Sequence, residues 1–155
     1  MILKPTKKHI DKININDVLI KIIDEKSRNV ISLIQKNIEK YQSVAFANSL
    51  GAEDMVLVDL IQKNKLHVEI FSIDTGRLPP ETYDLIQKTE EKYQFKIKLY
   101  FPNQEKVETY VNTNGINAFY GSLDLRKACC AIRKVEPLNR ALRDKKAWIT
   151  GMRQE

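Results

Sequence analysis

Cysteine is nearly absent from this 155-residue chain: there are two, Cys129 and Cys130, and they are neighbours. That count excludes the disulfide-dense framework of a small secreted domain. Histidine is as scarce. His9 and His67 stand alone, without a second ligand at metal-binding spacing, and both read as structural. No run of about 18 apolar residues offers a membrane span. Met1 to Asp11 is polar and lacks the apolar core of a signal peptide. Internal repeats and low-complexity tracts are missing too. The expectation is a cytoplasmic protein with no membrane partner, whose thiols stay reduced. A reduced vicinal pair points to metal binding or redox chemistry more than to a structural disulfide.

What the chain does have is 43% hydrophobic residues, enough for the core of one domain or most of one. Its net charge of +6 is concentrated in one place. Arg126 to Lys146 holds eight Lys/Arg and two Asp/Glu, whereas the rest holds 18 of each sign. Proteins that coat nucleic acid are basic more broadly. One basic segment fits a small anionic ligand better, so no nucleic-acid partner is expected.

Hydrophobic spacing divides the chain into a helical segment over 1–42 and an alternating unit over 43–155. Apolar residues from Val18 to Ile38 recur at helical spacing and predict one or two helices, with Asn16 as a candidate cap. Strands are predicted at Ser43–Asn48, His67–Ile73, Lys96–Tyr100 and Ala147–Thr150. Helices are predicted from Glu53 to Lys63, Pro80 to Tyr93, Gln104 to Asn112 and Leu123 to Val135. Pro137 should interrupt the last of these before a short helix to Lys145. Strand–helix alternation with short loops predicts an α/β fold, a mostly parallel sheet with helices on both faces. Ligands of such sheets bind beyond the carboxyl ends of the strands. Two glycine-bearing loops fall there, Ser49–Gly51 and Asp74–Gly76, and Trp148 reads as core.

Three segments carry candidate chemistry. In Ser49-Leu-Gly-Ala-Glu-Asp54, Gly51 permits close backbone approach, and Ser49 offers a hydroxyl donor beside the amides of a helix start. Glu53 and Asp54 argue against a bare anion there, and an ordinary strand–helix turn is the plainer reading. Asp74-Thr75-Gly76-Arg77 supplies a carboxylate, a hydroxyl, a flexible position and a cation, which suits a nucleotide; a capping turn is the alternative. On an α-helix, Cys129 and Cys130 would each have a cation one turn on, Arg133 and Lys134. Nearby cations favour thiolates, which bind metal, although free cysteines also pack in cores.

Taken together, these motifs resemble the family of APS/PAPS reductases of sulfate assimilation. The resemblance rests on Ser49-Leu-Gly-Ala-Glu-Asp54, Asp74-Thr-Gly-Arg77, Cys129-Cys-Ala-Ile-Arg-Lys134 and Ala147-Trp-Ile-Thr-Gly-Met-Arg153, in order from about Ser43 onward. It implies a Rossmann-like fold of the adenine nucleotide alpha hydrolase type. The double cysteine is similar to the branch that carries a 4Fe-4S cluster and uses adenosine 5'-phosphosulfate (APS). The 3'-phosphorylated substrate (PAPS) is the alternative. Ser49 and Gly51 would fall in a modified phosphate loop, and Asp74, Thr75, Gly76 and Arg77 in a nucleotide loop. Arg133, Lys134, Gly151 and Arg153 would serve substrate binding. Cys129 and Cys130 would be two of four cluster ligands. Thioredoxin, or a similar thiol donor, would be the partner of a cysteine thiolate that attacks the sulfur of APS; assembly into a homo-oligomer stays open.

The chain departs from that pattern. With two cysteines it lacks the second ligand pair and the nucleophile, which the resemblance places near the C-terminus of the family's proteins. The catalytic cysteine is accordingly expected beyond Glu155, and no catalytic residue is expected within these 155 positions. The expectation is therefore a sequence incomplete at the C-terminus and inactive by itself. An ATP-pyrophosphatase of the same fold would need a glycine-richer loop. A non-catalytic nucleotide-binding remnant would bind weakly and turn nothing over.

Overall fold

The computed structural model describes residues 17–152. The expected cap Asn16, His9, Arg153 and Glu155 lie outside the described residues. Four strands form one parallel sheet in the order β3-β2-β1-β4: β1 Val44–Ala47, β2 Glu69–Ile73, β3 Lys98–Tyr100 and β4 Ala147–Ile149. Register pairs Phe46 with Ile70 and with Ile149, and Ser72 with Leu99. The chain winds outward through β1, β2 and β3, then returns to the other side of β1. That reversal opens a crevice at the carboxyl ends of β1 and β4.

Side chains on a strand alternate between faces, and two cores result. On one face Phe46 and Ile70 meet Val58 and Ile61 of α2 (Ala52–Lys63), Ile86 of α3 (Pro80–Tyr93) and Ile34 of α1 (Asp17–Tyr41). On the other, Ala45 and Phe71 meet Ala141 and Leu138 of α6 (Glu136–Leu142). The first half of α1 projects past the sheet with Val18, Ile20 and Ile23 exposed. Its second half shares the core, so α1 is one helix whose stripe packs only from Val30 onward.

Two expectations need correction. Pro137 does not interrupt its helix. α5 (Leu123–Cys130) runs through a π-helical turn, Ala131–Val135, directly into α6. Proline gives no N–H to the carbonyl four residues back, and its ring crowds that carbonyl. Widening the preceding turn moves that carbonyl away from the ring, and the chain passes Pro137 without a break. Trp148 is the second. It is 48% exposed, because among the described residues no strand lies outside β4 to cover it.

α4 (Gln104–Asn114) starts at Asn103, whose side chain accepts from the Lys106 amide. A short 3-10 turn, Ala118–Tyr120, links it to α5.

Candidate nucleotide-binding site

A cavity of about 350 Å³ opens at the carboxyl ends of β1 and β2. Ser49, Thr75 and Lys134 line it, against walls of Leu50, Ile73, Leu78, Val135, Leu138 and Trp148. Three segments singled out in the sequence therefore converge on one mostly apolar space. Lys134 has no hydrogen bond or ion pair among the described residues, leaving its ammonium available to an anion.

The first loop is wired internally. Asn48 ends β1 buried, and its Oδ1 accepts from the Leu50 amide at 2.7 Å. This Asx-type turn holds Leu50 at φ 65°, a conformation that local side-chain bonding stabilises. Asp54, on the first turn of α2 and 5% exposed, takes both the Ser49 amide and the Ser49 hydroxyl on Oδ2, each at 2.6 Å. A hydroxyl has one hydrogen, and a carboxylate only accepts. Ser49 Oγ thus spends its hydrogen on Asp54, and one of its lone pairs accepts from the Gly51 amide at 3.4 Å. Free donation at this loop falls to the start of α2, which has no side-chain cap. Gly51 supplies that N-cap position. Gly151 packs against the same carboxylate: a Cβ there would stand 2.0 Å from Asp54 Oδ1. Gly151 lines a different groove, between α1 and β4.

The second loop is held from two sides. Asp74, 4% exposed, accepts from the Gly76 amide at 2.7 Å and from the Tyr83 hydroxyl at 2.9 Å. Its carboxylate in turn holds the Tyr83 phenol above the usual tyrosine range, with desolvation adding to the effect. Arg133 donates Nη1 to the Thr75 carbonyl at 2.7 Å. Gly76 has φ 71°, and a Cβ on it would lie 3.3 Å from that same Nη1. Arg77 turns away from the cavity. Its guanidinium donates to the Ile116 carbonyl and Asn117 Oδ1 at 2.9 and 3.0 Å and stacks on Phe119.

The cysteine pair closes α5. Cys129 is buried, Cys130 is half-buried, and both thiols are free. The π-turn begins immediately after them, so α-helical spacing does not carry on to Arg133 and Lys134. Arg133 is spent on Thr75, and Lys134 enters the cavity. Tyr110, which sequence reasoning missed, is buried beside the pair and donates to the Leu125 carbonyl at 2.9 Å. Burial pushes its phenol up, Cys129 adds to this, Arg133 opposes it and Cys130 adds again. A lone tyrosine on α4 carried no spacing signal that could have revealed it. Among the described residues no group of three or more His, Cys, Asp or Glu gathers around a metal position. Among the described residues the pair is thus joined by no third ligand of these types. Among the described residues that line the cavity there is no cysteine.

The phosphoadenosine phosphosulfate reductase domain family matches residues 43–155, which include every one of these loops. The chain belongs to that family. Its similarity extends to adenosine 5'-phosphosulfate reductases of Allochromatium vinosum (46% identical over 125 residues, 81% of this chain and 49% of that protein) and Burkholderia cepacia (50% over 117 residues, 76% and 47%). The chain spans about half the length of the curated relatives it matches. A crystal structure of phosphoadenylyl-sulfate (PAPS) reductase from Candida auris, in a phosphate complex, superposes with a TM-score of 0.68 at 26% identity. That match covers 87% of this chain and 68% of the other. The Rossmann-like α/β fold expected from strand–helix alternation is thus the fold of the family.

Proposed function

We propose that the complete enzyme to which this sequence contributes reduces APS to sulfite and AMP in cytoplasmic sulfate assimilation, with thioredoxin or a similar thiol donor as reductant. The observation that carries this reading is the cavity that joins Ser49, Thr75 and Lys134 at the strand ends. Its apolar walls suit an adenine ring, and its one unpaired cation suits the charged end of a nucleotide. In the reaction a cysteine thiolate attacks the sulfur of APS, AMP departs, and the resulting thiosulfonate gives sulfite when a dithiol donor is oxidised. Attack of this kind needs cations to neutralise the sulfate oxygens. Lys134 is positioned to supply one.

Cys129 and Cys130 would hold two corners of a 4Fe-4S cluster, which when bound supplies a delocalised iron–sulfur centre beside the basic segment. Both cysteines of the chain are then accounted for, and the attacking thiolate must come from outside the positions Met1 to Glu155. Arg153 completes the proposed substrate contacts.

Asp54 supports APS over PAPS. A ligand group docked on Ser49 Oγ meets one remaining lone pair with a carboxylate behind it, the other accepting from the Gly51 amide. A ribose hydroxyl donates into that arrangement, whereas an added phosphate is repelled.

Trp148 is the only tryptophan and lines the cavity, so its fluorescence reports binding. Titration of the chain should show AMP and APS binding, no pyrophosphate release from ATP, and no sulfite from APS with thioredoxin. Absence of AMP and APS binding at about millimolar concentration, a binding energy near 4 kcal/mol, would overturn the nucleotide reading.

A further inference from the structure

Arg133 lies in the basic segment, yet it does not face the cavity with Lys134. The wider π-turn that Pro137 enforces aims it at the neighbouring loop, where Nη1 reaches the Thr75 carbonyl at 2.7 Å across 58 residues of sequence. Three further observations bear on that contact. Gly76 comes so close to the guanidinium that a Cβ would stand 3.3 Å from Nη1, and its φ of 71° disfavours any side chain. The opposite side of the loop is fixed by buried Asp74 through the Gly76 amide. The cysteine-bearing helix is itself pinned from α4, where buried Tyr110 donates to the Leu125 carbonyl at 2.9 Å.

We infer that Arg133 is a positioning residue, a strut that ties the Asp74–Gly76 loop to the cysteine-bearing helix, so that nucleotide binding and the exposure of the thiols are coupled. This rests on the nucleotide reading proposed above. Thr75 lines the cavity, so a nucleotide seated there bears on the loop that Arg133 holds. The charge-assisted hydrogen bond passes that load to the turn directly after Cys130. Coupling between two sites is reciprocal in free energy, so a thiol whose exposure responds to AMP should, when blocked, alter AMP affinity in turn. A residue that merely stabilised the fold would weaken both properties without linking them.

The test uses the 155-residue chain. Iodoacetamide labelling of Cys130 is followed by mass spectrometry with and without saturating AMP, with buried Cys129 as the internal reference. AMP affinity is read from Trp148 before and after labelling. In the wild type, saturating AMP should change the Cys130 labelling rate at least about fivefold, and the labelled chain should bind AMP with an affinity different from that of the unlabelled chain. Arg133→Gln should weaken AMP by about tenfold, the scale of one charged hydrogen bond, and abolish both linked effects. Arg133→Lys, which keeps a donor, should restore part of the coupling and answers the question if the glutamine variant does not fold. AMP binding with unchanged wild-type labelling refutes the strut while leaving the nucleotide site intact. Full coupling in either folded Arg133 variant refutes the assignment to Arg133. No AMP binding by the wild type refutes the nucleotide reading and this inference with it.

Discussion

Asp54 is the most consequential side chain in the first loop, and its two jobs separate under substitution. Its Oδ2 holds the Ser49 amide and hydroxyl, both at 2.6 Å, at a site 5% exposed. Hydrogen bonds to a charged group contribute about 1.5–3 kcal/mol each, so Asp54→Ala should cost about 3–6 kcal/mol. Against a typical stability of about 5–15 kcal/mol, that is a large loss. Asp54→Asn is milder. Both bonds fall on one oxygen, which the amide carbonyl can replace, and neutral bonds are about half as strong; the expected cost is about 1–2 kcal/mol. The charge, however, is gone. Two unit charges about 4 Å apart interact by about 1 kcal/mol in water and about 4 kcal/mol near a protein surface. Taking about 2 kcal/mol, the wild type should prefer AMP over its 3'-phosphorylated form by about thirtyfold more than Asp54→Asn does. Urea unfolding measures the stability arm, and paired Trp148 titrations with the two nucleotides measure the selectivity arm. An unchanged affinity ratio in a folded Asp54→Asn variant would refute the argument that this carboxylate screens out a phosphate.

Other outcomes follow from neighbouring contacts. Gly151→Ala drives a Cβ to within 2.0 Å of Asp54 Oδ1 and should cost about 1–3 kcal/mol in urea unfolding, with a parallel loss of AMP affinity. Lys134→Ala should lower AMP affinity about tenfold and flatten its dependence on salt, as removal of a charge-assisted contact does. Phe46→Ala empties a fully buried position where α1, α2 and α3 meet the sheet, and should cost about 3–5 kcal/mol in unfolding. Lys63 and the Tyr93 hydroxyl hold Asp59 below its ordinary 3.8. A depressed carboxylate stabilises the fold above its unfolded pKa and loses that contribution as pH falls through the folded value. Asp59→Asn should therefore destabilise the chain at neutral pH and shrink that difference below pH 3.8, read from unfolding midpoints across an acid series.

The alternation of strand and helix, the loops at Ser49 and Asp74 and the double cysteine were all legible in the sequence, because each is a local pattern. Period-2 and period-3.6 hydrophobicity sets which face of each element is buried, and a glycine or an acidic residue at a fixed offset marks a strand end or a helix start. The sequence alone thus determined a parallel α/β sheet and singled out three segments that meet at its rim, those of Ser49, Thr75 and Lys134.

Direction was left to the tertiary structure. Ser49 was legible as a hydroxyl, but only the approach of Asp54 decides where its hydrogen goes. Arg77 and Arg133 are equally basic in sequence, yet one is drawn off by Asn117 and Phe119 and the other by Thr75, with Asn117 and Thr75 lying 40 and 58 positions away. Lys134 alone of the three keeps its charge for the cavity, because a proline three residues later widens the turn that carries it. A hydrogen bond is a short-range, directional interaction. Its partner is chosen by where the folded chain brings a second group, and no spacing along the sequence encodes that meeting.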